Sequence, residues 1–193
     1  MSRLPRADAR RNARRILEAT AELIATDPDA TMEQVAARAG VSRVTLYNRF
    51  SNREALMDAL TERSVEEVRA ALAGADPEAG AAVEAMERML RAAWPVIGRY
   101  RGLVIVNRRL ARSELRARLA PALEPLRSLV RRGQESGDFD PDLPPEWLVG
   151  ILLDLIHAAS AQVTAGAMDA AAAERALLRS ATAALASHRQ RRG

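Results

Sequence analysis

The chain has 193 residues, 48% of them hydrophobic, and a formal net charge of +4 in which all 29 basic side chains are arginine. That length holds one good core, or a small domain beside a larger one. The lack of cysteine excludes a disulfide, a thiolate nucleophile and a Cys-ligated metal. Abundant Ala and Leu, with only 3% aromatic residues and few β-branched runs, predict an all-α fold. Arginine stands near the start where a leader would have an apolar run, and the strongest apolar stretch, Leu148 to Ala161, is cut by Asp154 and His157 and is short for a bilayer. The expectation is a soluble cytoplasmic protein with no membrane partner.

In chain order, Arg3, Arg6, Arg10, Arg11, Arg14 and Arg15 are opposed only by Asp8 and form a basic arm. A first helix is expected from about Asp8 to Thr26, with Ile16, Leu17, Leu23 and Ile24 inward and Thr20 in the same phase. Thr31 and Gln34 have the spacing of a capping box, and Met32, Val35, Ala36 and Ala39 give the next helix one apolar stripe. Gly40 ends it, at a position where the chain must turn left-handed. Ser42 is placed to cap a further short helix whose inward residues are Leu46 and Phe50, with Val41 anchoring the turn. Arg43, Val44, Thr45, Tyr47, Asn48 and Arg49 fall on its other sides, a set of side chains that base edges and phosphates accept. Ser51 and Glu54 have the spacing of a second capping box, opening a long helix with Leu56, Leu60, Val68 and Leu72 apolar. This is a helix-turn-helix, a geometry that serves DNA binding but also occurs as ordinary packing in all-α proteins.

A resemblance raises the first of those alternatives. The stretch from about Arg14 to Leu60 is similar to the DNA-binding domain of TetR-type transcriptional regulators, matching at ILxAxAxLI (Ile16 to Ile24), TxExVAxxAGVS (Thr31 to Ser42) and TLYxxFxxxEAL (Thr45 to Leu56). The resemblance implies an N-terminal three-helix DNA-binding domain, residues 1–56, and a larger helical ligand-binding and dimerisation domain, residues 57–193. It also places the start of the first helix, with Arg14, against the DNA backbone, where Arg can neutralise phosphates and release counterions. Within the motif, Arg43 is the candidate reader of a guanine, since its fork can bond O6 and N7 together. Val44 is placed to contact a thymine methyl, and Asn48 to bond a base edge or a phosphate. Thr31, Ser42, Thr45 and Tyr47 complete the expected DNA-binding set with Arg49 and Arg53, mostly as phosphate contacts. Many family members carry His where this chain has Arg49 and Lys where it has Arg53.

Past a loop at Gly74 to Gly80, Val83, Met86, Leu90 and Trp94 keep helical phase until Pro95, which is expected to break it. Pro121 or Pro125 is expected to open the main helix of the next segment, ended by Gly137 and followed by the Pro-rich DFDPDLPP. Two last helices, about Pro145 to Ala165 and Asp169 to Arg189, bring the count to about nine. Their apolar faces suggest a homodimer interface that includes Leu148, Leu152, Leu155, Ala159, Leu177, Ala181 and Ala184. A dimer would set two recognition helices in successive major grooves and require a palindromic operator in double-stranded DNA. The resemblance also implies a small-molecule effector, for which Met86, Met89, Leu90, Trp94, Leu103, Asn107, Leu126, Leu153 and His157 are candidate lining residues; plain core is an equal reading of the apolar ones. No nucleophile elbow, HExxH or phosphate-binding glycine loop is present, so neither an enzyme nor a cofactor or metal is expected. The functional expectation is a dimeric repressor released by an effector, with an effector-independent DNA-binding or architectural regulator as the alternative.

Overall fold

The computed structural model describes the backbone of residues 4–107 and 112–187, and the side chains of 11–103, 106 and 117–187. Nine helices form among the described residues: α1 (Leu4–Ile24), α2 (Met32–Ala39), α3 (Arg43–Arg49), α4 (Arg53–Gly74), α5 (Ala82–Arg99), α6 (Arg101–Asn107), α7 (Arg112–Ser136), α8 (Pro145–Thr164) and α9 (Ala170–Leu185). The only extended pairing described is an isolated antiparallel bridge between Phe139 and Ala186. The chain divides into two compact units, Met1–Ser64 with Arg99–Ala111, and Val65–Gly98 with Arg112–Gly193, so the division falls inside α4.

The first unit buries Ile16 and Ala19 of α1 with Met32, Val35, Ala36 and Ala39 of α2, Leu46 of α3, Phe50, and Leu56 of α4. Leu17 and Leu23 pack at the edge of that cluster. Buried Thr20 satisfies its hydroxyl by donating to the Ile16 carbonyl at 2.7 Å, the usual solution for a hydroxyl inside a helix. Gly40 lies at φ 63°, and its N–H returns to the Ala36 and Ala37 carbonyls, closing α2 as expected of a left-handed cap. Helix α6 packs on α1 in the same unit. At Gly102 a Cβ would lie 2.5 Å from the backbone carbonyl of Ile24, so only glycine allows that approach.

In the second unit one core joins Leu72 of α4, Met86, Met89 and Leu90 of α5, Leu126, Leu129 and Val130 of α7, Phe139, Leu148 and Leu152 of α8, and Ala181 and Leu185 of α9. A smaller cluster joins Trp94, Ala159, Ala173 and Leu177, with the Trp94 indole N–H donating to the Ala170 carbonyl at 3.1 Å. The loop from α4 to α5 is clipped by two arginines. Arg88 donates to the carbonyls of Ala75, Asp76 and Ala79, and Arg132 to those of Pro77 and Gly80.

Several expectations are corrected. Helix α4 is capped by Asn52, whose side chain accepts from the Ala55 N–H at 2.8 Å, so the Ser51–Glu54 box does not form. Pro95 does not break α5, and Pro121 and Pro125 lie inside α7 instead of opening it. A proline deprives the carbonyl four residues back of its partner; here those carbonyls belong to Arg91, Ala117 and Pro121, all exposed, where water can take the place of the lost N–H. Helix α8 is long and apolar enough to cross a bilayer by length and composition alone, a test that core helices of soluble proteins also pass. Its Leu148, Val149 and Leu152 are instead spent on the core of the second unit. The expected end of the last helix at Arg189 lies outside the described residues.

Gly102→Ala is expected to lower stability by roughly 1–3 kcal/mol, the usual cost of forcing a methyl into filled space. Gly98→Ala, where a Cβ meets nothing within 4 Å, should be neutral or stabilising. Thermal unfolding of both variants checks the contrast; equal midpoints would contradict the close approach of α6 to α1.

Candidate nucleic-acid interface

Helix α3 has seven residues and no room to be stable alone. Ser42 starts it, its hydroxyl accepting from the Thr45 N–H at 3.0 Å while sharing a 2.8 Å hydrogen bond with the Thr45 hydroxyl. Leu46 is the only α3 residue fully inside, and Phe50 beyond it is buried on the same core. Everything else on the helix is therefore free to serve another purpose. Arg43, Val44, Tyr47, Asn48 and Arg49 are exposed, Val44 to 69%, an unusual amount for an apolar side chain. Thr45 is half-buried, and the Arg49 guanidinium lies 5.5 Å from the Phe50 ring centre.

Thr31 caps α2 through the expected box: its hydroxyl accepts from the Gln34 N–H at 3.3 Å, and the Gln34 side chain accepts from the Thr31 N–H at 2.7 Å. Arg14 is exposed and paired with Glu18 at 2.7 Å. That contact, with a weaker one from Arg63, holds the Glu18 carboxyl below the usual carboxylate range. The remaining arginines of the basic arm before Arg11 lie outside the described side chains. Arg53 is placed differently from the other candidates. It is half-buried and clips the turn before α2, donating to the Pro28 carbonyl at 2.5 Å and the Ala30 carbonyl at 3.3 Å. These bonds give it a structural task, which its position at the start of α4 did not reveal.

Two acidic partners also went unforeseen. Glu22 of α1 accepts from both Nε and Nη2 of Arg38, tying α1 to α2. Glu33 in the first turn of α2 accepts from Arg43 in the first turn of α3. The Glu33 carboxyl is held below its ordinary value by hydrogen bonding to its own backbone amide, and further by the charge of Arg43 and the hydroxyl of Thr31. Helix starts brought together by a tight turn are a recoverable signal for the second pair.

The residues expected around an effector lie in several places. Met86, Met89, Leu90 and Leu126 fill the main core of the second unit, and Trp94 the smaller cluster. Leu103 is buried in the first unit, His157 is half-buried, and the Asn107 side chain lies outside the described residues. Leu153 does line a groove of about 460 Å3 with Leu123, Glu124, Arg127, Arg131, Glu146, Val149 and Gly150. The residues expected at a dimer interface fall in two groups. Leu148, Leu152, Ala159, Leu177 and Ala181 are consumed by their own subunit, while Leu155 and Ala184 are half-buried at its edge. Among the described residues no group of His, Asp and Glu could hold a metal ion.

Among the described residues the fold is all-helical, and the short, capped α3, which shows nearly all its polar side chains to solvent, is the second helix of a helix-turn-helix. Residues 16–60 match the model for bacterial regulatory proteins of the tetR family. The structure is similar over 91% of this chain to LfrR from Mycobacterium smegmatis in complex with proflavine, a TetR-like transcriptional regulator, with TM-score 0.76, 25% identity and 97% of that chain covered. It is also similar to the fatty acid degradation regulator FadR from Bacillus halodurans (TM-score 0.73, 19% identity, 89% of this chain and 94% of that one). A third similar structure is the TetR family regulator PfmR from Thermus thermophilus (TM-score 0.70, 21% identity, 88% and 96%). No curated protein matches. The match over residues 16–60 places the helix-turn-helix of this chain beside those of tetR-family regulatory proteins, and the fold is similar to that of TetR-like transcriptional regulators.

Arg53→Ala is expected to cost about 1–3 kcal/mol of stability, since it removes charged donors from two carbonyls. Unchanged thermal unfolding together with weakened DNA binding would instead make Arg53 a phosphate contact.

Proposed function

We propose that the chain is a dimeric repressor that binds a palindromic operator and is released from it by a small-molecule effector. The observation that carries the DNA half of this reading is the exposed face of α3, which buries only Leu46 and leaves Arg43, Val44, Tyr47 and Asn48 outward. Arg43 reads a guanine through O6 and N7, Val44 contacts a thymine methyl, and Asn48 bonds a base edge or phosphate. Thr31, Ser42, Thr45, Tyr47 and Arg49, with Arg14 on α1, contact the backbone and set the register. A cytoplasmic location follows from that task.

Dimerisation through α8 and α9 is supported by what these helices leave outside after filling their own core. Trp147 is 61% exposed, and Ala158 is exposed further along α8, with Ile151 half-buried between them. The exposed positions of α9 include the small Ala171, Ser180 and Ala183 beside Arg175 and Arg179, and the small ones allow a close crossing with a two-fold copy. The effector half of the reading is supported by the similarity to LfrR, solved with proflavine, and by the two adjacent-turn methionines Met86 and Met89 in the core. Met86 and Met89 can repack around a guest at lower cost than branched side chains. An effector bound in the second unit acts on the first through α4, in which the division between them falls.

Titrating Arg43→Ala against operator variants is expected to show a loss of about 1–3 kcal/mol focused on one base pair; equal loss on every sequence contradicts base reading. Challenging the complex of chain and DNA with a panel of apolar and planar cationic compounds, proflavine included, is expected to identify one that releases the DNA and raises the thermal midpoint of the free chain. Retention of DNA under every compound would favour the effector-independent alternative.

A further inference from the structure

Arg43 does not project from α3 unaccompanied. Its Nη2 donates to Glu33 Oε1, so the first turn of the recognition helix is joined to the first turn of α2. Both side chains remain largely in solvent, Arg43 to 66% and Glu33 to 45%. We propose that Glu33 is a positioning residue for DNA readout, its carboxylate holding the Arg43 guanidinium in the orientation that discriminates one guanine. The inference rests on Arg43 reading a base edge, as proposed above.

A guanidinium on a long, flexible stem has two competing uses at a DNA surface. It pairs as readily with a phosphate, which carries no sequence information, as with the O6 and N7 of guanine, which do. A carboxylate beside it shifts that choice. It repels the phosphate, and by accepting one hydrogen bond it removes rotamers in which the guanidinium turns toward the backbone. The arrangement leaves one reading edge available, because Nη2 carries two N–H groups: with one on Glu33, the other still forms a two-donor edge with its neighbouring nitrogen. Both anchors are stiff: Thr31 and Gln34 box the start of α2, Ser42 caps α3, and the Gly40 turn fixes the two starts against each other. A carboxylate facing a polyanion would otherwise only weaken binding. Paired with Arg43, it makes a neutral pair and converts a general cation into a selective one.

The test is a double-mutant cycle in the full chain, using a duplex recovered by that chain from a random-sequence library and duplexes in which each guanine of it is replaced in turn. Glu33→Gln keeps the size of the side chain and lies on an exposed turn; unchanged thermal unfolding confirms its fold. The expected result is that Glu33→Gln lowers discrimination at the Arg43-dependent guanine about tenfold, leaves discrimination at other positions unchanged, and has no such effect once Arg43 is alanine. Tighter binding of Glu33→Gln to all duplexes alike, with discrimination intact, would overturn the proposal and make Glu33 a mere repulsive charge. Should Arg43→Ala weaken every duplex equally, base reading by Arg43 fails and the positioning role with it. A focused Arg43→Ala loss with an unaltered Glu33→Gln pattern overturns the positioning role alone.

Discussion

Burial of Leu46 is the interaction on which the DNA-binding surface depends. A helix of seven residues does not persist in water by its own hydrogen bonds. It exists here because Leu46, with Phe50 just beyond its end, packs into the cluster formed by Ile16, Val35, Ala36 and Ala39. With one side chain securing the helix, the rest of its surface is available to a partner. The left-handed turn at Gly40 and the cap at Ser42 set its direction, so anchoring and presentation are solved by adjacent residues.

The same economy explains the polar contacts around the motif. Arg53 clips the turn before α2, Arg38 ties α2 to α1 through Glu22, and Glu33 engages Arg43. Two of these are exposed ion pairs, worth little each in stability because solvent screens them. Their value lies in geometry, since a surface that reads base edges needs donors in known places. In the second unit, arginine has a different task. Arg88 and Arg132 satisfy the carbonyls of the loop that follows α4, fixing the segment next to the helix shared by both units.

Much of the first unit was legible in the sequence because each of its local features has one common cause. A Thr-x-x-Gln spacing, a glycine after an apolar stripe and a Ser before the next helix are short-range signals, and the chain obeys them at Thr31, Gly40 and Ser42. Ser51 shows the limit of such signals: Asn52, one residue on, is the better acceptor and takes the cap. The second unit was less legible. Pro95, Pro121 and Pro125 read as breaks, yet their cost is offset where the orphaned carbonyls are exposed and the helix is held by its apolar face. Periodicity shows that Leu148, Leu152, Leu177 and Ala181 share apolar faces, but not whether such a face meets its own subunit or another. The structure gives them to the subunit core. Of the site itself, side-chain type and spacing revealed the outward residues of α3, whereas the partners of Arg43 and Arg53, 10 and 25 residues away, depend on how the helices cross.

The central claim is that α3 presents a sequence-reading surface. Its most direct measurement is sequencing of the DNA that the full chain retains from a random library at physiological salt, compared with the DNA retained by a Val44→Ala, Asn48→Ala double variant. The natural chain is expected to enrich one motif strongly, with preference at specific positions lost in the variant. Retention without enrichment, or an identical motif from both proteins, would contradict it.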